Sequence, residues 1–137
     1  MAVRWTATAA VLVSGLAHLW LWGYDGFRLI AWIGPLFLAN AFAAVVIGGL
    51  LVIWRSWVPP LLALGFGATT LGAFLVSATV GLLGLHEILL GPWQVVCAVA
   101  EVVAVVAGLA LLGRERPLGR WARRPRGGLA PGQPDVE

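Results

Sequence analysis

Four stretches of this chain, residues 5–24, 34–54, 59–85 and 92–112, hold between them a single Asp, Glu, Lys or Arg residue, Glu101. A helix rises about 1.5 Å per residue, so each run reaches about 30 Å, the thickness of a bilayer's hydrocarbon core. The remainder of the 137 residues is too short to build a separate core, so these runs must themselves be the fold. With 61% hydrophobic and 11% charged residues, the chain lacks the charge needed to cover a water-soluble surface. A membrane β-barrel would alternate apolar and polar residues with period two; the run from Ala41 to Ile53 does not. The expected fold is an all-α integral membrane bundle of four transmembrane helices over residues 1–113, followed by a cytoplasmic tail from 114 to 137.

Breakers separate the runs: Gly23, Asp25 and Gly26, then Arg55 to Pro60, then His86 to Pro92. Pro35, Pro59, Pro60 and Pro92 fall where helices begin and a missing N–H costs nothing. The first run reads as a retained span rather than a cleaved leader, because Trp20, Trp22 and Tyr24 stand where a signal peptide needs small residues.

All nine cationic residues are Arg, a bias that suits a GC-rich bacterial genome. Arg4, Arg55 and the six arginines from Arg114 to Arg126 share one side of the predicted topology, and only Arg28 lies on the other. By the positive-inside rule both termini are cytoplasmic and the protein sits in a bacterial inner membrane. The tail is rich in Arg, Pro and Gly and is expected to be disordered. Its Arg114, Arg116, Arg120, Arg123 and Arg124 are expected to contact anionic lipid headgroups. Without a folded reader beside them they do not predict nucleic-acid binding. Asp25 and Arg28 are expected to form a local ion pair.

Helices in lipid associate through small residues and buried polar contacts. Gly65, Thr69, Ala73, Ser77 and Gly81, spaced by four, form a small-residue stripe expected to be a packing seam. Gln94, Cys97, Glu101, Ala104 and Gly108 share one face of the fourth span. A bundle this small is expected to pair with a second copy or with another membrane protein.

Polar groups inside spans are expensive and therefore informative. His18, Asn40, Ser77 and Glu101, one from each helix, lie at similar depths below the expected outer ends of their spans, within about 13 Å. Ser14 lies one turn from His18 on the same face. These five form a candidate ligand-binding or proton-relay layer. If His18 and Glu101 meet, the neutral pair and the ion pair lie close in energy, as in the proton relays of transporters.

His18 together with His86, Glu87 and Asp25 also makes a candidate site for a divalent metal or haem near the outer surface. Cys97, the only cysteine, excludes an intramolecular disulfide and a cysteine-rich metal knuckle. No phosphate-binding loop, Gly-x-Ser-x-Gly elbow or HExxH helix is present. The sequence therefore favours a non-enzymatic membrane component that binds a partner or small ligand through this layer. Its rivals are a proton-coupled solute transporter using Glu101 and a haem- or metal-binding redox protein using His18.

In size and span number the chain resembles the small multidrug transporters and the DoxX-like proteins. The resemblance covers topology alone. Small multidrug transporters carry their essential glutamate in the first span, whereas this first span has no acid. No family site is carried over.

Overall fold

The computed structural model describes residues 1–82 and 91–115. Four helices, α1 (Ala2–Tyr24), α2 (Ile33–Ile53), α3 (Val58–Thr79) and α4 (Pro92–Glu115), run in sequence, with a short 3-10 turn, Phe27–Leu29, between the first two. Each is long and apolar enough to cross a membrane. The shortest, with 21 residues, spans about 31 Å. His86, Glu87, Arg116, Arg120, Arg123 and Arg124, and with them most of the basic tail, lie outside the described residues.

Prolines mark the starts. Pro59 and Pro60 open α3, Pro92 opens α4, and Pro35 falls in the first turn of α2. In these positions the absent N–H and fixed φ fit a helix entrance. The third helix stops at Thr79, short of the expected Leu85. Gly81 adopts φ +86°, and both its N–H and that of Val80 donate to the Val76 carbonyl at 3.0 Å. A left-handed glycine closing the last turn in this way ends a helix. Ser77 thus stands about 3 Å from the end of its helix, rather than deep within a longer span.

The bundle is held by small residues. α1 packs along both α2 and α4, and α3 packs along α4, while α2 and α3 hardly touch. A side chain at Gly15 of α1 would collide with Ala44 of α2. On α3, a Cβ at Gly67 would lie 2.7 Å from the Glu101 carbonyl oxygen, and one on Gly108 of α4 would lie 3.0 Å from the Pro60 carbonyl. Backbones brought this close maximise dispersion contacts where no hydrophobic force drives association. The large apolar side chains point outward, Leu16, Phe42 and Val106 among them, as lipid-facing surfaces require.

The stripe on α3 is not a seam between helices of this one chain. At Gly65 nothing stands within 4 Å of the place a Cβ would occupy, and Gly65, Thr69 and Ala73 are exposed. The contact with α4 runs instead through Pro60, Ala63 and Gly67. Spacing by four puts residues on a common face but does not say which of two small faces meets a neighbour. On α4 the expected face is buried at Cys97, Glu101, Ala104 and Gly108.

At the end of the bundle where the N-terminus and the α2–α3 loop lie, Arg4 ties three helices together. Its Nη2 donates to Glu115 Oε1 and Oε2 at 2.7 and 2.6 Å. Nη1 donates to the carbonyls of Leu51 and Trp54 at 2.8 and 3.1 Å. A guanidinium supplies donors both to a carboxylate and to the free carbonyls at the end of α2.

Candidate functional site

Two one-turn pairs face each other where α1 crosses α4. Ser14 and His18 are four residues apart on α1, and Cys97 and Glu101 are four apart on α4, so each pair projects from one side of its helix. Ser14 Oγ donates to Glu101 Oε1 at 3.1 Å. His18 Nδ1 is 2.9 Å from the Ser14 carbonyl oxygen; only a protonated Nδ1 can donate there, which leaves Nε2 with its lone pair in the neutral ring. That Nε2 is 4.0 Å from Glu101 Oε1. Cys97 Sγ lies 3.7 Å from His18 Nδ1. Phe37 of α2 packs on the imidazole with ring centroids 5.0 Å apart and itself stacks on Phe27 at 4.7 Å, so aromatic rings fix the imidazole's plane.

The cluster is out of water. Ser14 is 0% and Glu101 1% exposed. Glu101 Oε2 is buried without a full hydrogen bond among the described residues; the Thr70 hydroxyl lies near the carboxyl but donates to the Phe66 carbonyl at 2.7 Å. An unpaired carboxyl oxygen in a low-dielectric interior costs free energy that a donor would recover.

The side of the cluster away from α1 and α4 is open. Because α2 and α3 hardly touch, a cavity of about 410 Å³ lies between them. Its walls are mainly apolar, with Phe37, Phe66 and Phe74, and its polar points are His18, Asn40, Thr69, Thr70, Ser77, Gln94, Cys97 and Glu101. Leu36, Ala39, Thr69 and Ala73 line it and are exposed, so they form its mouth. Asn40 Oδ1 is a second buried oxygen without a partner among the described residues. A cavity of this size and mixed lining has the build of a small-molecule site.

The five residues of the expected layer therefore divide. Ser14, His18 and Glu101 come together directly. Asn40 and Ser77 stand on other walls of the same cavity. Of the metal set expected around His18, only Asp25 falls with it among the described residues. His86 and Glu87 lie outside them. Asp25 is exposed beyond the end of α1, about 10 Å along the chain axis from His18. The residues that do gather are His18, Cys97 and Glu101, whose ligand atoms lie within 4.8 Å of one another.

Sequence reasoning misses two contributors. Cys97 reads there as part of the packing face of the fourth span, not as a donor beside His18, although its four-residue spacing from Glu101 matches that of Ser14 from His18. Arg4 reads only as a topology signal. Asp25 and Arg28, expected to pair, are not within ion-pair distance; the ion pairs among the described residues are Arg4–Glu115 and the longer His18–Glu101 contact. Arg114 is exposed in the last turn of α4. Comparison of the chain with family models, with curated proteins and with solved structures finds no match.

Proposed function

We propose that this protein is a non-enzymatic component of a bacterial cytoplasmic membrane that binds a small, largely apolar molecule carrying a hydrogen-bond donor. The observation that carries this reading is the Glu101 carboxyl on the wall of a cavity of about 410 Å³, its buried Oε2 without a full hydrogen bond among the described residues because the neighbouring Thr70 hydroxyl already donates to the Phe66 carbonyl at 2.7 Å. An apolar body would fill the space between Phe37, Phe66 and Phe74, and a hydroxyl or amine would supply the donor that Oε2 lacks. Asn40 Oδ1 offers a second acceptor across the cavity. The mouth between α2 and α3 lies along the flank of the bundle, so the ligand enters from lipid.

The orientation belongs to the same proposal. Arg4, Arg55 and the arginine tail outweigh Arg28, which supports cytoplasmic termini and puts the cavity nearer the outer leaflet. A membrane-impermeant maleimide on intact cells should label Asp25→Cys, and should label Gly113→Cys only after permeabilisation; the reverse pattern overturns the orientation.

Ligand binding is tested by mass spectrometry of small molecules retained by protein purified in mild detergent. Wild type should carry a compound that Ala73→Phe, which fills the mouth, does not. Equal retention by both proteins, or by neither, defeats the reading.

A further inference from the structure

Beyond a ligand cavity, the crossing of α1 and α4 carries a second chemistry. We propose that His18, Cys97 and Glu101 form a three-ligand site for a zinc ion, with its fourth position facing the cavity.

The donor set comes first. A ring nitrogen, a thiol sulfur and a carboxylate oxygen lie within 4.8 Å of one another. Zinc binds such atoms at about 2.0 to 2.3 Å, which separates neighbouring ligands by roughly 3.3 to 3.5 Å in a tetrahedron. Zinc binding therefore requires Cys97 Sγ, now 3.7 Å from His18 Nδ1, and Glu101 Oε1, now 4.0 Å from Nε2, to close in by side-chain rotation.

The histidine is already oriented for this role. Its Nδ1–H is held by the Ser14 carbonyl at 2.9 Å, so Nε2 presents its lone pair toward Glu101. Metal-bound histidines are fixed in this manner by a bond from the second ring nitrogen. Ser14 Oγ supports the carboxylate in the same way, donating to Glu101 Oε1 at 3.1 Å.

Charge selects the ion. A thiolate and a carboxylate together carry two negative charges and neutral imidazole adds none, so a divalent cation makes the cluster neutral. Neutrality matters at a site whose Glu101 is 1% and Cys97 6% exposed, where an uncompensated charge is costly. A monovalent copper ion would leave one negative charge in hydrocarbon. Magnesium and calcium prefer all-oxygen sets, and the sulfur and nitrogen donors disfavour them. As zinc enters, the thiol proton leaves to water with any proton on the carboxyl. Three protein ligands leave the fourth position on the cavity for water or for a donor atom of the bound molecule.

The test uses the full chain, without a polyhistidine tag, in detergent and titrated with Co²⁺ as a spectroscopic substitute for zinc. About one Co²⁺ per chain should bind and give an intense near-ultraviolet thiolate-to-cobalt charge-transfer band, which Zn²⁺ then abolishes. Cys97 is the only cysteine, so the band identifies it even where Cys97→Ala fails to fold. His18→Ala and Glu101→Gln should weaken binding by about a hundredfold or more, whereas Ser14→Ala should keep the band and lose about tenfold. Absence of the band in folded wild type overturns the site. So does a band in Cys97→Ala, or unchanged affinity in both His18→Ala and Glu101→Gln.

Discussion

Replacing Gly15 with Ala puts a methyl where Ala44 Cβ already stands. Both atoms sit on helix backbone, so neither can rotate away, and α1 and α2 must separate locally. Overpacking of this kind costs about 1–3 kcal/mol, from which about 1 kcal/mol is recovered because Ala suits a helix better than Gly. Gly15→Ala alone should therefore destabilise by about 1 kcal/mol or somewhat more. Ala44→Gly alone should cost about 1 kcal/mol from helix propensity, plus the lost contacts of one methyl. In Gly15→Ala/Ala44→Gly the propensity terms cancel and one methyl again fills the gap. The double variant should unfold near wild type, giving a coupling energy of about 2 kcal/mol, within the range seen for residues in contact. Tryptophan fluorescence during unfolding in mixed micelles measures all four proteins. Coupling below about 0.5 kcal/mol would mean that the two sites act independently, and the close α1–α2 crossing that sets Ser14 and His18 in place would be wrong.

Three further pairs of variants probe the packing and the cluster in the same assay. Gly65→Ala should be neutral or slightly stabilising, since nothing lies near its Cβ, whereas Gly67→Ala should cost about 1–3 kcal/mol by pressing on the Glu101 backbone; the opposite order would restore the Gly65 stripe as the seam. Arg4→Ala should cost about 2–3 kcal/mol by removing charge-assisted bonds to Glu115 and the end of α2, and Arg4→Lys should fall between it and wild type because a point charge cannot replace the fork. An Arg4→Ala protein as stable as wild type rules out the clamp. Glu101→Gln should keep the fold, its amide oxygen accepting from Ser14, while Glu101→Leu should cost about 1 kcal/mol by orphaning the Ser14 hydroxyl. Equal stability of the two would remove the Ser14 bond from the account.

The helices were legible because hydrocarbon admits few backbone solutions, and because Pro35, Pro59, Pro60 and Pro92 stand at helix entrances. The end of α3 was not, since apolar residues continue past Gly81 and only the backbone reveals its left-handed φ. Likewise the spacing of Gly65, Thr69, Ala73 and Ser77 announced a common face but not its neighbour; Thr69, Ala73 and Ser77 line the cavity because α3 turns its Pro60–Gly67 face to α4. At the site, similar depth and the scarcity of polar groups put His18 and Glu101 in one layer, but whether they meet depended on how α1 and α4 cross. Cys97 was hidden because a cysteine in an apolar run looks like any small hydrophobe, and its role depends on how α1 and α4 cross. Arg4 was half legible: its side of the membrane follows from charge counting, but its reach to Glu115 links residues 111 positions apart.

The central claim is that Glu101 lies at the wall of a cavity reached from between α2 and α3. An apolar carbodiimide, which couples to carboxyl groups and partitions into hydrocarbon, reports this directly when its adducts are located by peptide mass spectrometry. The account predicts an adduct on Glu101 in wild type freed of metal by a chelator, formed much more slowly in Ala73→Phe, where the mouth is blocked. No adduct on Glu101, or the same rate with the mouth blocked, would contradict it.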